Sequence, residues 1–306
     1  MLMKVDLVIS YVDNSNNEWK YNCSKYTKTA DARFFRVGKN QLRYVLRSVE
    51  QNLPFINQVF LIVQNKSEVP DYIDTEKVRV VTHDTFIPKK YLPTFNINTI
   101  LTFLAEIPDL SEHFIYTEDD IFILNELTVD DFFVKDKTIT RYHKLIFESN
   151  RPNSFESIVM NCNQLVFGKS KTDMWNEGFT IKPHHTLRPY KKSVYRQCID
   201  KYWNKIESCL TRFRSPLNYS NYIVDLYSYK NGDAIDSTTF KNNGIYNNAS
   251  NEEIVIKANS ADTICILDHF IDVDIFENKT LINLFKTKFP NVCKYEKEQN
   301  NLKQCK

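Results

Sequence analysis

Apolar and polar positions alternate between two periods along the first half of the chain. Val5 to Val12 (VDLVISYV) is short, apolar and β-branched, which predicts a buried first strand. It runs into the polar turn segment Asp13-Asn-Ser-Asn-Asn17. Gln41 to Gln51 has helical period, with Leu42, Val45, Leu46 and Val49 on one face, and Asn52-Leu-Pro54 ends it. Gln58 to Val63 predicts a second buried strand and Val78 to Val81 a third. Thr99 to Ala105 predicts a helix, and His113 to Tyr116 a strand leading into Glu118-Asp-Asp120. Strands alternating with helices predict an α/β fold with a mainly parallel sheet.

The second half is less regular. Arg188 to Arg214 reads as mostly helical after Pro189, and Ser220 to Tyr229 as another helix. Residues 231–256 are polar and read as a loop-rich insertion. Thr263 to Leu267 predicts a short strand, and Leu281 to Lys288 a final helix stopped by Phe289-Pro290. With no internal repeat and no long linker, the pattern predicts one unit with a helical subregion.

Composition narrows the chemistry. The five glycines, Gly38, Gly168, Gly178, Gly232 and Gly244, are dispersed. A P-loop and a Gly-x-Gly-x-x-Gly turn are excluded, because both need clustered glycines for backbone approach to phosphate. A nucleotide would therefore be held by side chains or a metal. Lys+Arg 40 against Asp+Glu 38 gives a net charge of +2, which argues against a general nucleic-acid-binding field. No apolar run approaches the roughly 20 residues of a membrane span. Met1 to Asp6 lacks a signal peptide's apolar core. Seven cysteines without Cys-x-x-Cys predict neither a zinc site nor a disulfide framework. A reduced, cytoplasmic setting is the expectation.

Five constellations carry candidate chemistry. Asp119-Asp120 follow a strand, where ligands of open α/β sheets bind. Adjacent carboxylates repel unless a cation is present, so Mg²⁺ or Mn²⁺ on phosphate oxygens fits; a solvated acidic turn is the alternative. Asp6 and Asp13 flank the first strand; Asp6 can simply mark its entry, and Asp13 can form an Asx-turn. His184-His185 lie in the basic stretch Lys182 to Lys192, as a general base with phosphate-holding neighbours or as a plain surface loop. Arg212 and Arg214 offer a phosphate clamp or two solvated charges. Cys265-Ile-Leu-Asp268-His269 invites a thiol nucleophile, but Cys265 sits inside an apolar run and reads better as a small hydrophobe, leaving Asp268 the stronger candidate.

Taken in order, these segments resemble the Stealth family, which includes bacterial capsular polysaccharide phosphotransferases and the catalytic subunit of GlcNAc-1-phosphotransferase. Asp6-Leu-Val-Ile-Ser-Tyr-Val-Asp13 with Glu18-Trp19 resembles its first signature region. The second runs from Leu42-Arg-Tyr-Val-Leu-Arg-Ser48 through Val69-Pro70, Val81-Thr-His83 and Leu92-Pro-Thr-Phe-Asn96 to Leu110-Ser-Glu-His-Phe-Ile-Tyr116 and Asp119-Asp120. His185 with Pro189 and Arg212-Phe-Arg214 resembles the third. Cys265-Ile-Leu-Asp268, Phe289-Pro290 and Tyr295-Glu296 resemble the fourth.

The resemblance implies a nucleotide-sugar transferase core (GT-A-like, Rossmann-like). It implies a single Stealth-type catalytic domain over 1–306, with an α/β nucleotide-sugar-binding half at 1–135 and a helical subregion with a closing strand at 136–306. The implied reaction moves hexose-1-phosphate from a UDP-hexose, such as UDP-GlcNAc, to a hydroxyl of an oligo- or polysaccharide, lipid-linked or free, releasing UMP. A lipid-linked acceptor would bring the protein to a membrane surface. His185 and Arg214 match the family's active-site histidine and arginine. Asp13 and Asp268 are further catalytic candidates, and Asp119 and Asp120 metal candidates. Asp6, Arg43, Arg47, Asn96 and Arg212 are candidates for donor and phosphate binding; for Arg43 and Arg47, one helical turn apart, a structural salt bridge is the alternative. Glu118, Leu101 and Leu267 depart from the family pattern, as does Gly38-Lys-Asn-Gln41. Two rivals remain: a glycosyltransferase that moves the sugar without phosphate, and a non-catalytic glycan-binding relative.

Overall fold

A computed structural model describes residues 3–13, 15–27, 41–147, 151–237, 239–246, 250–267 and 279–297. Asp268 and Gly38-Lys-Asn40 lie outside the described residues. In chain order the elements are β1 (Val5–Ser10), α1 (Asn17–Ser24), α2 (Gln41–Asn52), β2 (Ile56–Val63), β3 (Val78–Thr82), α3 (His83–Phe86), α4 (Ile97–Thr102), β4 (His113–Glu118), β5 (Ile121–Ile123), β6 (Phe133–Val134), β7 (Lys137–Thr140) and β8 (Tyr142–Ile146). They continue with α5 (Ser154–Phe167), α6 (Lys171–Glu177), β9 (Phe179–Pro183), β10 (Arg188–Lys191), α7 (Lys192–Glu207), α8 (Tyr222–Asn231), β11 (Ala234–Asp236), β12 (Asn242–Tyr246), α9 (Asn251–Asn259), β13 (Thr263–Leu267) and α10 (Lys279–Lys288).

The fold is α/β with a mainly parallel central sheet of order β10–β4–β1–β2–β3. Its inner strands β1 and β2 are largely apolar, as expected of strands covered on both faces. Val5, Leu7, Val8 and Ile9 of β1 and Val59, Leu61 and Val63 of β2 are fully buried.

Two expectations are corrected. Arg188–Lys191 is a strand, antiparallel to β4 with Arg188 opposite Tyr116, and the helix begins only at Lys192 and ends at Glu207. The residue before a proline disfavours the helical region, and an edge strand tolerates the missing N–H of Pro189. Residues 231–256 are not mainly loop. They carry β11, β12 and α9, and the two strands pair in parallel with the distant β7 and β13. Local polarity hid strands whose stability comes from long-range partners.

Contacts divide the chain into two compact units, each assembled from three sequence stretches. One comprises Val8–Val80, Thr117–Leu127 and Phe240–Lys306. There α2 buries Leu42, Val45, Leu46 and Val49 completely, the face its period predicts. Ser48 Oγ accepts from the Ile123 N–H at 3.1 Å and Asn52 Nδ2 donates to the Ile123 carbonyl at 2.7 Å, which fixes β5 against the helix. Phe285 of α10 stacks on Phe122 with ring centres 4.2 Å apart.

The other unit comprises Met1–Leu7, Val81–Tyr116 and Thr128–Thr239. Its helices α5, α7 and α8 surround a buried polar knot. Arg188 Nη1 donates to Asn221 at 2.9 Å and lies 3.5 Å from Asp225, whose carboxylate also accepts from the Tyr190 hydroxyl at 2.8 Å.

Candidate active site

In the first unit described, loops that leave strand ends deliver carboxylates. Asp13 lies three residues beyond β1 and is buried. Its Oδ1 accepts from the Ser15 N–H at 3.0 Å, so the Asx-turn foreseen there is present. Asp119 and Asp120 follow β4 directly; Asp119 is half-buried and Asp120 buried. Glu68, five residues beyond β2, is 1% exposed and was missed in the sequence, although the strand-end rule covers it. Burial pushes its carboxyl up to about 7, against hydrogen bonds from backbone N–H groups such as that of Asn65, and with Asp13 adding repulsion.

Tyr11 reports the crowding. Its phenol is driven far above the ordinary tyrosine value, first by burial, then by Asp119, Asp13, Tyr72 and Glu68 in that order. Strand ends thus bring carboxylates expected from the sequence around one buried ring. Carboxylate oxygens are the donors that a hard divalent cation such as Mg²⁺ or Mn²⁺ takes. Cys265 is 2% exposed within β13, opposite Ile121, and its Sγ lies within 4.8 Å of an Asp120 carboxylate oxygen. That burial is the packing role expected of it, not that of an accessible nucleophile.

Arg43 and Arg47 realise the alternative considered for them. Arg47 grips Glu296 with Nε and Nη2 at 2.6 and 3.1 Å, and Arg43 Nε lies 3.1 Å from the same carboxylate. The Arg43 guanidinium also covers the Tyr72 ring at 4.2 Å. Glu296 is brought there because its segment pairs with 72–74: Asp74 N–H donates to the Tyr295 carbonyl at 2.9 Å and Lys297 N–H to that of Tyr72 at 2.8 Å.

In the other unit, three of the expected donor-binding residues hold loops. Asp6 is 1% exposed and accepts from the Ser111 N–H at 2.7 Å. Asn96 is fully buried and donates to the Thr211 and Phe213 carbonyls and to Asn218. Arg212 Nε donates to the Pro93 carbonyl at 2.9 Å, and the Phe95 N–H donates to the Arg212 carbonyl. Asn96 and Arg212 thus fix the loop that presents Arg214, which is exposed, with its guanidinium 6.0 Å from the Phe155 ring centre.

His185 is half-exposed, just beyond β9. The preceding pair is more strongly perturbed. Burial, then Lys182, His184 and Arg141, push the His143 imidazole down to about 3. Burial, then Arg141 and Lys182, push His184 down to about 4. Both rings are neutral at physiological pH, in a setting whose nearby charges are positive. Lys182, Arg141 and His143 were not singled out from sequence, because their grouping depends on how β8 pairs with β9.

Comparison with known proteins identifies the family. The model for Stealth protein CR2, conserved region 2, matches residues 35–141. Capsular polysaccharide phosphotransferase cps1A of Actinobacillus pleuropneumoniae is 30% identical over 269 residues, covering 76% of this chain and 67% of that protein. The chain belongs to the Stealth family. Another similar protein is capsular polysaccharide phosphotransferase LcbA of Aeromonas hydrophila, 28% identical over 252 residues, covering 76% of this chain and 68% of its own. The exopolysaccharide phosphotransferase cps2G of Lactiplantibacillus plantarum is 27% identical over 331 residues and covers 96% of both chains. Among solved structures, the galactosyltransferase LgtC in complex with donor and acceptor sugar analogs is similar at 10% identity, over 94% of this chain and 96% of that one, with a TM-score of 0.47. Within this Stealth chain the second signature region contributes α2, the core strands β2 to β4 and the Asp119-Asp120 turn.

Proposed function

We propose that this Stealth chain is a hexose-1-phosphate transferase of capsule or surface-polysaccharide synthesis. The observation that carries the reading is its 30% identity to a capsular polysaccharide phosphotransferase, over most of both chains. The donor is a UDP-hexose and the acceptor a glycan hydroxyl. The acceptor oxygen bonds to the β-phosphorus as the bond from that phosphorus to the bridging oxygen breaks. UMP leaves with the electron pair, and a phosphodiester is the product.

His185 accepts the proton of the attacking hydroxyl, and Arg214 covers phosphate oxygens, on which charge must be neutralised before an oxygen nucleophile can approach. Asp119 and Asp120, with Asp13 and Glu68, are the groups to hold Mg²⁺ or Mn²⁺. A bound divalent ion supplies positive charge to the non-bridging phosphate oxygens. Asp268 keeps the catalytic candidacy that the family resemblance gives it. Among the described residues no helix is long and apolar enough to cross a membrane. The proposed setting is the cytoplasm, at the membrane surface where the acceptor is lipid-linked.

The test incubates the protein with UDP-GlcNAc and other UDP-hexoses, Mn²⁺ and short glycans. UMP release with a new phosphodiester signal in the phosphorus NMR spectrum is expected. A glycosylated product lacking phosphodiester phosphorus would instead identify a plain glycosyltransferase. No UMP release with glycan binding intact would identify a non-catalytic relative. His185→Ala and Arg214→Ala are each expected to lower turnover by roughly 10²-fold or more with the fold intact. Near-normal rates in either variant reject its assigned role.

A further inference from the structure

Strands β8 and β9 form an antiparallel ribbon in which His143 stands opposite Lys182 and Tyr142 opposite Pro183. The register continues one step further, where the His184 N–H donates to the Arg141 carbonyl at 2.9 Å. Directly opposed residues, and those two apart on one strand, share a face. Arg141, His143, Lys182 and His184 therefore form a square on one face, with the two cations on one diagonal and the two imidazoles on the other. The imidazoles touch, with ring centres 4.2 Å apart. Arg141, His143 and His184 are half-exposed, and Lys182 is buried.

Two further observations point to a ligand. His143 Nδ1 is buried and makes no hydrogen bond, so the cost of taking it out of water is not offset by a protein partner. The Lys182 ammonium lies 5.6 Å from the centre of the Phe155 ring that Arg214 also covers, at 6.0 Å. The basic square thus adjoins the proposed phosphate clamp, and His184 adjoins the proposed base His185.

We propose that this face is an acceptor subsite for a phosphodiester that the glycan already carries. The proposal rests on the transfer reading above: a chain extended by that reaction gains one phosphodiester per step, so a grown acceptor carries the anion and an unprimed glycan does not. Two permanent cations match phosphodiester monoanions. Two neutral imidazoles add uncharged hydrogen-bonding nitrogens to that pair. The acceptor, rather than the donor, is assigned because its hydroxyl must meet His185, the next residue along the strand exit.

The test compares an oligosaccharide bearing one internal phosphodiester with its neutral counterpart. The wild type is expected to show a KM roughly tenfold lower for the phosphodiester acceptor. Arg141→Ala with His143→Ala is expected to bring the two KM values within about twofold, and Arg141→Lys to keep most of the preference. No preference in the wild type, or an undiminished one in a folded double variant, overturns the proposal. A second arm needs no turnover. Nitrogen-15 NMR follows the imidazoles during pH titration with a hexose–phosphodiester–hexose disaccharide. The His143 and His184 pKa values are expected to rise when it binds, and unchanged values overturn the proposal. A response to UDP-hexose alone assigns the face to the donor and overturns the acceptor assignment. A response to the disaccharide in a protein that releases no UMP supports the subsite while the transfer reading fails.

Discussion

Asp13, Glu68 and Asp119 all follow the carboxyl ends of strands, whereas Arg141, His143, Lys182 and His184 lie on or just beyond a paired ribbon. Each set concentrates charge of one sign. Around Tyr11, burial and then carboxylates drive a phenol upward; on the ribbon, burial and then cations drive two imidazoles downward. Groups of like charge raise one another's free energy. The contrast lies in how the clusters arise. Strand-end loops collect carboxylates one at a time, while a ribbon face collects its members through pairing.

The largest effect expected from perturbing this contrast concerns the scaffold of the basic unit. Arg188 is 3% exposed and Asp225 2%. Burial raises the Asp225 carboxyl and the nearby Arg188 pulls it back, so the pair is ionic at neutral pH. Asp225→Ala would strand the guanidinium, and a loss of about 3–5 kcal/mol is expected in urea unfolding. The Arg188→Met/Asp225→Leu pair should regain much of it, since a buried ion pair replaced by apolar groups is often neutral. A loss under about 1 kcal/mol in Asp225→Ala would mean the knot is not what steadies this unit.

A smaller effect is expected in the acidic unit. Glu296→Gln removes the charge shared by Arg43 and Arg47 but keeps a hydrogen-bonding shape. A loss of about 1–3 kcal/mol is expected, measured by the same unfolding curves. An Arg47→Ala cycle with Glu296→Gln should show coupling, because the two side chains are in contact. Additive effects would sever the proposed tie between α2 and the segment that carries Glu296.

Much of this architecture was legible because it is local. The α2 face is written in Leu42, Val45, Leu46 and Val49, and the polar residues after β1 and β4 announce strand ends. The Arg43 and Arg47 ion pair was legible only as an alternative, because the partner Glu296 stands 249 residues beyond Arg47. Asp6, Asn96 and Arg212 carried the right chemistry for binding phosphate, yet their hydrogen bonds run mainly to backbone groups of 93–111 and 211–213, with Asn96 also donating to the Asn218 side chain. Sequence shows that a side chain is polar, not whether a loop needs it. The basic ribbon was hidden for the same reason: His143 and Lys182 are neighbours only through register.

The smallest expected effect, a pH slope, isolates the ribbon from every other titrating group. In the unfolded chain His143 and His184 take the ordinary value of about 6.5. In the folded chain they are down to about 3 and about 4. Between about 6.5 and those values the unfolded state binds more protons, so their contribution to stability is complete above 6.5 and is lost as the pH falls. Asp225, raised to about 6, and Glu68, raised to about 7, act in the opposite sense as the pH rises through their own windows. Overall curvature therefore says little, and the informative quantity is a difference. His143→Gln with His184→Gln should lose less urea resistance than the wild type between pH 7.5 and 5, while Asp225, Glu68 and His83, which burial pushes down to about 4, contribute equally to both proteins and cancel. Parallel curves would mean that the imidazoles titrate as they do in solvent. The ribbon would then not be the like-charged region that distinguishes it from the carboxylates around Tyr11.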